Sequence, residues 1–272
     1  MKLLSYLSYK RLKKCVSAPA PREDITVVSY NVRYFNHNAD FGNCHWYVRA
    51  KYVLSNIERL QPDILCTQEV HPPQFAFFKK HLVGYDSVIG YREERGVHSE
   101  ACPIFYNTKR FTLLEGGTFW LSDTPEVKSK FEDSWHYRIC TFARLQDKDG
   151  AILTVYNVHP DYRIEDIRIR QLAVLADRVA HNDDSVIVTG DFNAQKGEKC
   201  LEPFESLLKD SKDFNGAVFG DTFNGFGVKP GEAIDFIYLP KTATLIDTGI
   251  LKDLYDGVYP SDHYPIFAKI KL

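Results

Sequence analysis

Two short motifs carry the residues with the clearest capacity for chemistry: Gly190-Asp191-Phe192-Asn193 and Ser261-Asp262-His263-Tyr264-Pro265. The first directly follows the apolar run 186–189, which is typical of a buried strand. The carboxylate, amide and imidazole side chains of both motifs are the groups that hold hard metal ions and transfer protons. Because Gly, Asp, Asn, Ser and Pro also build ordinary turns, either motif taken alone is equally compatible with a turn.

Four further strand-like runs meet a polar residue in a similar way. These residues are Asn31 after run 25–30, Glu69 after run 64–68, His159 after run 152–158, and Asp235 at the start of run 234–239. In an antiparallel arrangement the end of one strand lies beside the start of its neighbour, so all six segments can converge on one edge and form a cleft. An unpaired carboxylate at Asp235, between two apolar residues, would be costly, and His263 is a suitable donor to it.

The donor set also indicates which kind of metal ion and which kind of enzyme to expect. Its oxygen-rich side chains predict magnesium, with manganese as a possible substitute, instead of zinc. The chain has no G-x-x-x-x-G-K-[ST] loop, no G-x-S-x-G elbow and no H-E-x-x-H pair, so P-loop, serine-hydrolase and zincin classes have no motif support. Its six cysteines include no C-x-x-C pair, and a chain of 272 residues needs no disulfides, which favours a reducing, cytoplasmic setting.

The spacing of apolar residues predicts the elements that would position these groups. Helical periodicity occurs within residues 47–60, 75–82, 164–180 and 200–208. Strand-like runs occupy residues 25–30, 64–67, 87–89, 101–106, 111–120, 138–145, 152–158, 186–189, 234–239 and 266–272. Several of these runs are continuously apolar, so both faces of their sheets must be covered. We therefore predict an α/β (α+β) fold, a four-layer αββα sandwich of two mostly antiparallel mixed sheets flanked by helices.

Composition limits the class of substrate. The chain is 44% hydrophobic and 26% charged, which fits a globular protein and excludes disordered and fibrous classes. Its formal net charge of -2 lacks the basic surplus that is common in proteins of duplex nucleic acid. The balance favours a small phosphorylated substrate or a short single strand.

The first residues of the chain differ in character from the rest. Residues 1–16 are basic and contain leucines that can line one side of a helix. Such a segment can contact anionic lipid or dock on a partner, but we prefer a frayed or locally packed extension. The Ala- and Pro-rich stretch 18–22 reads as a linker. We therefore divide the chain into a basic extension with its linker, residues 1–22, and one domain, residues 23–272.

In this order, the polar junctions resemble those of the endonuclease/exonuclease/phosphatase superfamily. That superfamily includes deoxyribonuclease I, exonuclease III, deadenylases, inositol polyphosphate 5-phosphatases and neutral sphingomyelinases. The resemblance extends from about residue 26 to residue 272. The stretches that carry it are Ser29-Tyr30-Asn31-Val32-Arg33, Gln68-Glu69-Val70, Tyr156-Asn157-Val158-His159, Gly190-Asp191-Phe192-Asn193, Ile234-Asp235-Phe236-Ile237 and Ser261-Asp262-His263-Tyr264-Pro265.

The resemblance implies a deoxyribonuclease I-like sandwich and metal-dependent cleavage of a phosphate ester. It makes Glu69 the principal magnesium ligand, assisted by Asn31 and Asp262. The catalytic roles that it implies are activation of water by Asp191, donation to phosphate oxygens by Asn193, contact with the scissile phosphate by His263 steadied by Asp235, and a place beside the phosphate for His159. Arg33, Arg138 and Phe226 stand in stretches that are also similar, and we expect them to contact substrate.

We therefore expect a magnesium-dependent phosphodiesterase or phosphatase that uses an Asp-activated water. Its expected substrate is a phosphorylated small molecule or a phosphodiester. The first alternative is a nuclease that acts on short or single-stranded RNA or DNA ends. The second is a catalytically inactive binding module. We expect a monomer.

Overall fold

The computed structural model describes residues 2–36, 38, 40–93, 99–213 and 220–272. The α-helices in these ranges are α1 Lys2–Lys10, α2 Trp46–Leu60, α3 Pro72–His81, α4 Glu165–Ala180 and α5 Glu202–Leu207. The strands are β1 Val16–Ser17, β2 Ile25–Asn31, β3 Ile64–Gln68, β4 Leu82–Val83, β5 Tyr85–Val88, β6 Ile104–Asn107, β7 Phe111–Trp120, β8 Ile139–Asp147, β9 Ile152–Val158, β10 Ser185–Asp191, β11 Lys209–Asp210, β12 Asp235–Leu239, β13 Thr244–Ile250 and β14 Ile266–Lys271. Short 3₁₀ helices cover Gly42–Cys44, Lys199–Leu201, Ser211–Asp213 and Gly225–Gly227.

Twelve of the strands form two six-stranded sheets. The first sheet has the order β13-β14-β2-β3-β6-β5, and the second has the order β11-β12-β10-β9-β8-β7. Each sheet contains one parallel pair, β2 with β3 and β9 with β10, and its other pairs are antiparallel. The predicted mixed, mostly antiparallel pair of sheets is thus confirmed.

Alternate residues of the central strands enter different apolar cores. Val27 and Val155 belong to the core between the two sheets, whereas Val28 packs under α2 and α3, and Val188 packs under α4 and α5. Every residue of β2 is buried, as expected for a strand covered on both faces. Three apolar cores between four layers therefore give the predicted αββα sandwich.

Buried amides join the two sheets at the end that carries the polar junctions. Gln68 of β3 donates from Nε2 to Asn157 Oδ1 of β9 at 2.7 Å. Asn157 Nδ2 in turn donates to the carbonyl oxygens of Thr67 and Pro103 at 2.9 and 3.0 Å. These amides lie out of solvent contact, so each lost hydrogen bond would leave a buried polar group unsatisfied. The bridge therefore fixes how the sheets are placed relative to each other near the cleft.

The N-terminal segment packs on the domain. Tyr6 and Tyr9 of α1 contact the ring of Tyr47 on α2, with centroids 5.1 and 4.9 Å apart. Strand β1 pairs in parallel with β4, and Asn107 Nδ2 donates to the carbonyl of Pro19 at 2.9 Å. The first residues of the predicted linker therefore lie against the domain, and the boundary at residue 22 stays a prediction. Within the described ranges no helix is both long and apolar enough to span a bilayer.

Gly190 allows β9 and β10 to approach closely just before Asp191. A Cβ atom at residue 190 would lie far inside van der Waals contact with the carbonyl oxygen of Val158. We expect Gly190→Ala to lower the free energy of unfolding by about 3 kcal/mol, since neither backbone can move without breaking the sheet. Chemical denaturation measures this loss.

Gly150→Ala is the matched control. Gly150 has a φ of +87°, but a Cβ atom there would meet no atom within 4 Å. Gly150→Ala should lower the free energy of unfolding by about 1 kcal/mol, because alanine is disfavoured in the left-handed backbone conformation. Equal losses in the two variants would contradict the steric argument.

Candidate active site

The six polar junctions meet at one end of the sandwich. Asn31 ends β2 and Glu69 follows β3 in the first sheet, whereas Asp191 ends β10 and His159 follows β9 in the second. Both strand pairs run parallel, so their carboxyl ends share an edge. Strand β12 is antiparallel to β10 and starts opposite Asp191 with Asp235, whose Cα is paired with that of Asp191. The segment that contains Asp262 and His263 leads into β14, which is antiparallel to β2.

Three residues at this edge have a left-handed backbone that non-glycine residues rarely adopt. Their φ angles are 55° for Arg33, 61° for Glu69 and 50° for Asn193. Local hydrogen bonds hold the turns: the Arg33 amide donates to Asn31 Oδ1 at 3.0 Å, and the Asn193 amide donates to Asp191 Oδ1 at 3.0 Å. Backbone strain of this kind persists where the surrounding structure imposes it, and it is common at functional sites.

Asn31 connects the carboxylates of the two sheets. Its Nδ2 donates to Glu69 Oε1 at 3.1 Å and to Asp191 Oδ2 at 2.9 Å. The second oxygen of Glu69 accepts the amide of Tyr34 at 3.0 Å. Burial alone would raise the pKa of Glu69, but the charge of Arg33 and these two donors lower it to about 2. Glu69 is therefore a carboxylate at neutral pH.

His263 is held by Asp235. The His263 Nδ1 and Asp235 Oδ2 atoms are 2.9 Å apart, and Asp235 has no solvent exposure. Burial lowers the pKa of His263, but the carboxylates of Asp235 and Asp191 outweigh it and raise that pKa to about 10. His263 is therefore a cation whose Nε2 lies 3.6 Å from Asp191 Oδ2.

Asp191 lies between two imidazoles. His159 Nε2 is 3.7 Å from the same Asp191 Oδ2 atom. Burial and the nearby Arg138 lower the pKa of His159, so this ring is neutral at pH 7. Burial raises the pKa of Asp191 to about 7, with Asp235 adding to the rise and His263 opposing it. A carboxyl group with a pKa near neutrality is suited to exchange protons during a reaction.

Two clusters of side chains among the described residues could hold a cation, and of the predicted ligands only Glu69 belongs to one of them. Ligand atoms of Glu69, His159 and Asp191 lie within 4.8 Å of one another, as do those of Asp191, Asp235 and His263. The second group already contains the ion pair between His263 and Asp235, so the first is the better candidate. Asp262 lines the same cleft, and burial together with the charge of Glu69 raises its pKa. Buried carboxylates that repel one another are a suitable environment for a hard cation.

Arg33 and Arg138 line the cleft as expected, but Phe226 does not. Phe226 stands in a tight turn with a φ of 58°, and its ring lies 5.8 Å from the guanidinium carbon of Arg49. Phe223, three residues earlier, faces the site instead, with its ring centroid 5.0 Å from that of His263. Asn193 also lines the cleft, and its Nδ2 donates to the Pro160 carbonyl at 3.2 Å.

The cleft has a volume of about 740 Å³ and includes residues that the motifs do not contain. Arg92 and Glu100 form an ion pair of 2.9 Å across a segment without any recognisable pattern. The remaining unpredicted polar and aromatic residues of the lining are Tyr34, Phe35, Asn36, His71, His136, Tyr162, Phe223, Lys229 and Glu232. Tyr34, Phe35, Asn36, His71, Tyr162 and Glu232 stand within three residues of a motif, whereas Arg92 and Glu100 do not.

The chain matches known proteins over most of its length. The model of the Endonuclease/Exonuclease/phosphatase family matches residues 28–263. An uncharacterized protein of Acanthamoeba polyphaga mimivirus is 29% identical over 206 residues, which are 72% of this chain and 75% of the viral protein. The CCR4-Not complex 3'-5'-exoribonuclease subunit Ccr4 of Candida albicans is 22% identical over 93% of this chain, and the match spans 42% of that longer protein.

A solved structure has the same fold over nearly its whole length. The mannosyl-6-phosphatase of Bacteroides thetaiotaomicron superposes with a TM-score of 0.82 and 28% identity, covering 91% of this chain and 100% of that one. The family match spans every predicted catalytic and metal-binding residue. The chain therefore belongs to the endonuclease/exonuclease/phosphatase family, whose members are phosphoester hydrolases.

Proposed function

We propose that this chain hydrolyses phosphate esters with the help of a divalent cation, magnesium or manganese. The observation that carries the proposal is the convergence of Glu69, His159 and Asp191 within 4.8 Å beside the ion pair of His263 and Asp235. We assign Glu69 of this cluster as the principal ligand, with Asn31 and Asp262 beside it, and leave Asp191 and His159 for proton transfer and contact with the phosphate. When bound, the cation supplies positive charge that neutralises phosphate oxygens.

The protein side chains supply proton transfer and positioned donors. Asp191, with a pKa raised to about 7, accepts a proton from the attacking water. His263 remains protonated because its partner Asp235 raises its pKa, and it donates to a phosphate oxygen as negative charge develops. Asn193 contributes an amide donor, and neutral His159 lies on the other side of Asp191. Phosphoryl transfer requires little beyond such positioning and electrostatic stabilisation.

A small phosphorylated molecule is the preferred substrate. The net charge of -2 gives no general attraction for duplex nucleic acid, and one structural neighbour, matched over its full length at 28% identity, is a mannosyl-6-phosphatase. A nuclease of single-stranded ends remains the second candidate, because the Phe223 ring at the site can stack on a base and one relative is an exoribonuclease. An inactive binding module is disfavoured, since each predicted catalytic residue is present.

Metal dependence can be tested on Glu69. We expect hydrolysis of a p-nitrophenyl phosphate monoester or diester to require magnesium and to stop with EDTA. Glu69→Gln should raise the magnesium concentration for half-maximal activity by about tenfold or more, because an amide is a weaker ligand than a carboxylate. Glu115→Gln, at an exposed position of β7, is the control and should leave the half-maximal magnesium concentration unchanged. A metal-independent rate in the wild type would refute the proposal.

The proton-transfer roles can be tested on Asp191 and His263. Asp191→Asn and His263→Ala should each lower kcat by about 10²- to 10⁴-fold, the usual range for loss of acid–base or electrostatic stabilisation. The matched controls are Asp183→Asn and His181→Ala, because both residues are exposed. Urea denaturation should show that the four variants remain folded. If both active-site variants kept more than about a tenth of the wild-type kcat, these roles would be wrong.

The pH dependence follows from the same two groups. Asp191 must lose its proton to act as a base, so kcat/KM should rise through a pH of about 7. His263 must keep its proton, so kcat/KM should fall as the pH passes about 10. Asp235→Asn removes the main cause of the raised His263 pKa and should move the alkaline limb to lower pH. If the alkaline limb of the kcat/KM profile stayed at the same pH in this variant, Asp235 would not be the group that keeps His263 protonated.

A further inference from the structure

Two buried arginines of the cleft lie outside the groups that hold the cation or transfer protons. Arg138 is 5% exposed and precedes β8, and Arg92 is 9% exposed and follows β5. Both line the cleft together with His136 and Tyr162. Burial of a guanidinium is costly unless its charge and its N–H groups find partners.

The two arginines do not find a partner for every charge and N–H group among the described residues. Arg92 forms its ion pair with Glu100, whereas Arg138 has no carboxylate within 4.0 Å in the described part of the chain. Among the described residues Arg138 donates one hydrogen bond, to the carbonyl oxygen of His159 at a marginal 3.5 Å, and its guanidinium carbon lies 5.9 Å from the Tyr162 ring centroid. The Nε atoms of both arginines have no hydrogen-bond partner among the described residues. Of the two guanidiniums, that of Arg92 is therefore paired with a carboxylate and that of Arg138 is not.

Arg33, by contrast, is surrounded by negatively charged side chains. Its guanidinium has three carboxylates within 4.0 Å, those of Glu69, Asp262 and Asp40. The cleft is thus divided into an acidic part suited to a cation and a basic part suited to an anion. Burial lowers the pKa of His136, and the nearby Arg92 and Arg138 lower it further against the opposing carboxylates of Glu93 and Asp161.

We propose that Arg138 and Arg92 bind a second phosphate group of the substrate, distinct from the phosphate that is hydrolysed. This inference rests on the proposed function. The hydrolysed phosphate must lie at Asp191 and His263, and neither arginine lies within 4.0 Å of an Asp191 oxygen. A guanidinium offers several N–H donors in one plane and matches phosphate oxygens in pairs. Glu100 holds Arg92 in place without cancelling the charge of Arg138.

The second phosphate can belong to a bisphosphorylated small molecule or to the next link of a nucleic acid strand. Two matched substrate pairs distinguish these sources. One pair is thymidine 5'-(p-nitrophenyl phosphate) with and without a 3'-phosphate, and the other is fructose 1,6-bisphosphate and fructose 6-phosphate. In the pair that represents the natural source, wild-type kcat/KM should be about tenfold or more higher for the doubly phosphorylated member, which corresponds to about 1.4 kcal/mol.

Variants of the arginines test whether the subsite causes this preference. Arg138→Gln should reduce the ratio of kcat/KM values to about twofold or less, and Arg138→Lys should keep part of it because the charge remains. Arg92→Gln provides a second position should Arg138→Gln fold poorly. Arg144→Gln is the matched control on β8, since Arg144 pairs with Asp184 outside the cleft lining, and it should keep the full ratio. A preference that survives in both Arg138→Gln and Arg92→Gln would overturn the proposal.

A binding measurement separates this inference from the proposed function. Inorganic phosphate should bind to the EDTA-treated wild-type protein in calorimetry, and Arg138→Gln should weaken the binding by about tenfold. Arg144→Gln should bind phosphate like the wild type, because Arg144 pairs with Asp184 outside the cleft lining. Phosphate binding that Arg138→Gln leaves unchanged would overturn the subsite. Phosphate binding that depends on Arg138 without turnover of any substrate would support the subsite and refute the hydrolase.

Discussion

The site depends on a buried amide that holds carboxylates of both sheets. Asn31 Nδ2 donates to Glu69 Oε1 of the first sheet and to Asp191 Oδ2 of the second. Buried carboxylates repel each other strongly unless donors or cations lie between them. The Asn31 amide supplies such donors while leaving the negative charge in place. The apolar core brings the two sheets together, but this polar contact determines how their catalytic residues face each other.

A second buried group supports this contact from behind. Arg49 of α2 has no solvent exposure, and its guanidinium donates to the carbonyl oxygens of Cys44, Arg33 and Pro260 at 2.9, 2.7 and 3.1 Å. It also donates to Val32 in the turn after Asn31. Arg49 thus connects the turn that follows β2 with the segment that leads to Asp262. Ser261 adds a hydrogen bond of 2.7 Å from its hydroxyl to the carbonyl of Asn31.

The sequence predicts the helices and strands whose apolar spacing and flanking turn residues lie within a short stretch of the chain. Strands β7 and β9 begin and end at the predicted residues, because each is a continuous run bounded by turn residues. Strand β13 is absent from the prediction, since it is an edge strand in which Leu245 alone is buried. The predicted helix 200–208 divides into a 3₁₀ turn and the short α5, with Pro203 in its first turn.

The same distinction applies to the site. Convergence of the six polar junctions follows from strand ends, which sequence patterns reveal. Arg92 and Glu100 could not be found in this way, because their ion pair is made by folding and leaves no spacing signal. The sequence pattern indicates Phe226, but Phe223 of the same stretch faces the cleft, because a turn with positive φ at Phe226 places its ring near Arg49 instead.

The left-handed backbones of Arg33, Glu69 and Asn193 have a consequence for protein engineering. Glycine would adopt these angles without the steric penalty of about 1 kcal/mol or more that a side chain incurs there. Selection of variants for heat resistance alone should therefore favour replacements at these residues, at the expense of turnover. Thermostability and catalysis compete here at identifiable backbone angles, so a stabilisation programme should leave these three residues unchanged.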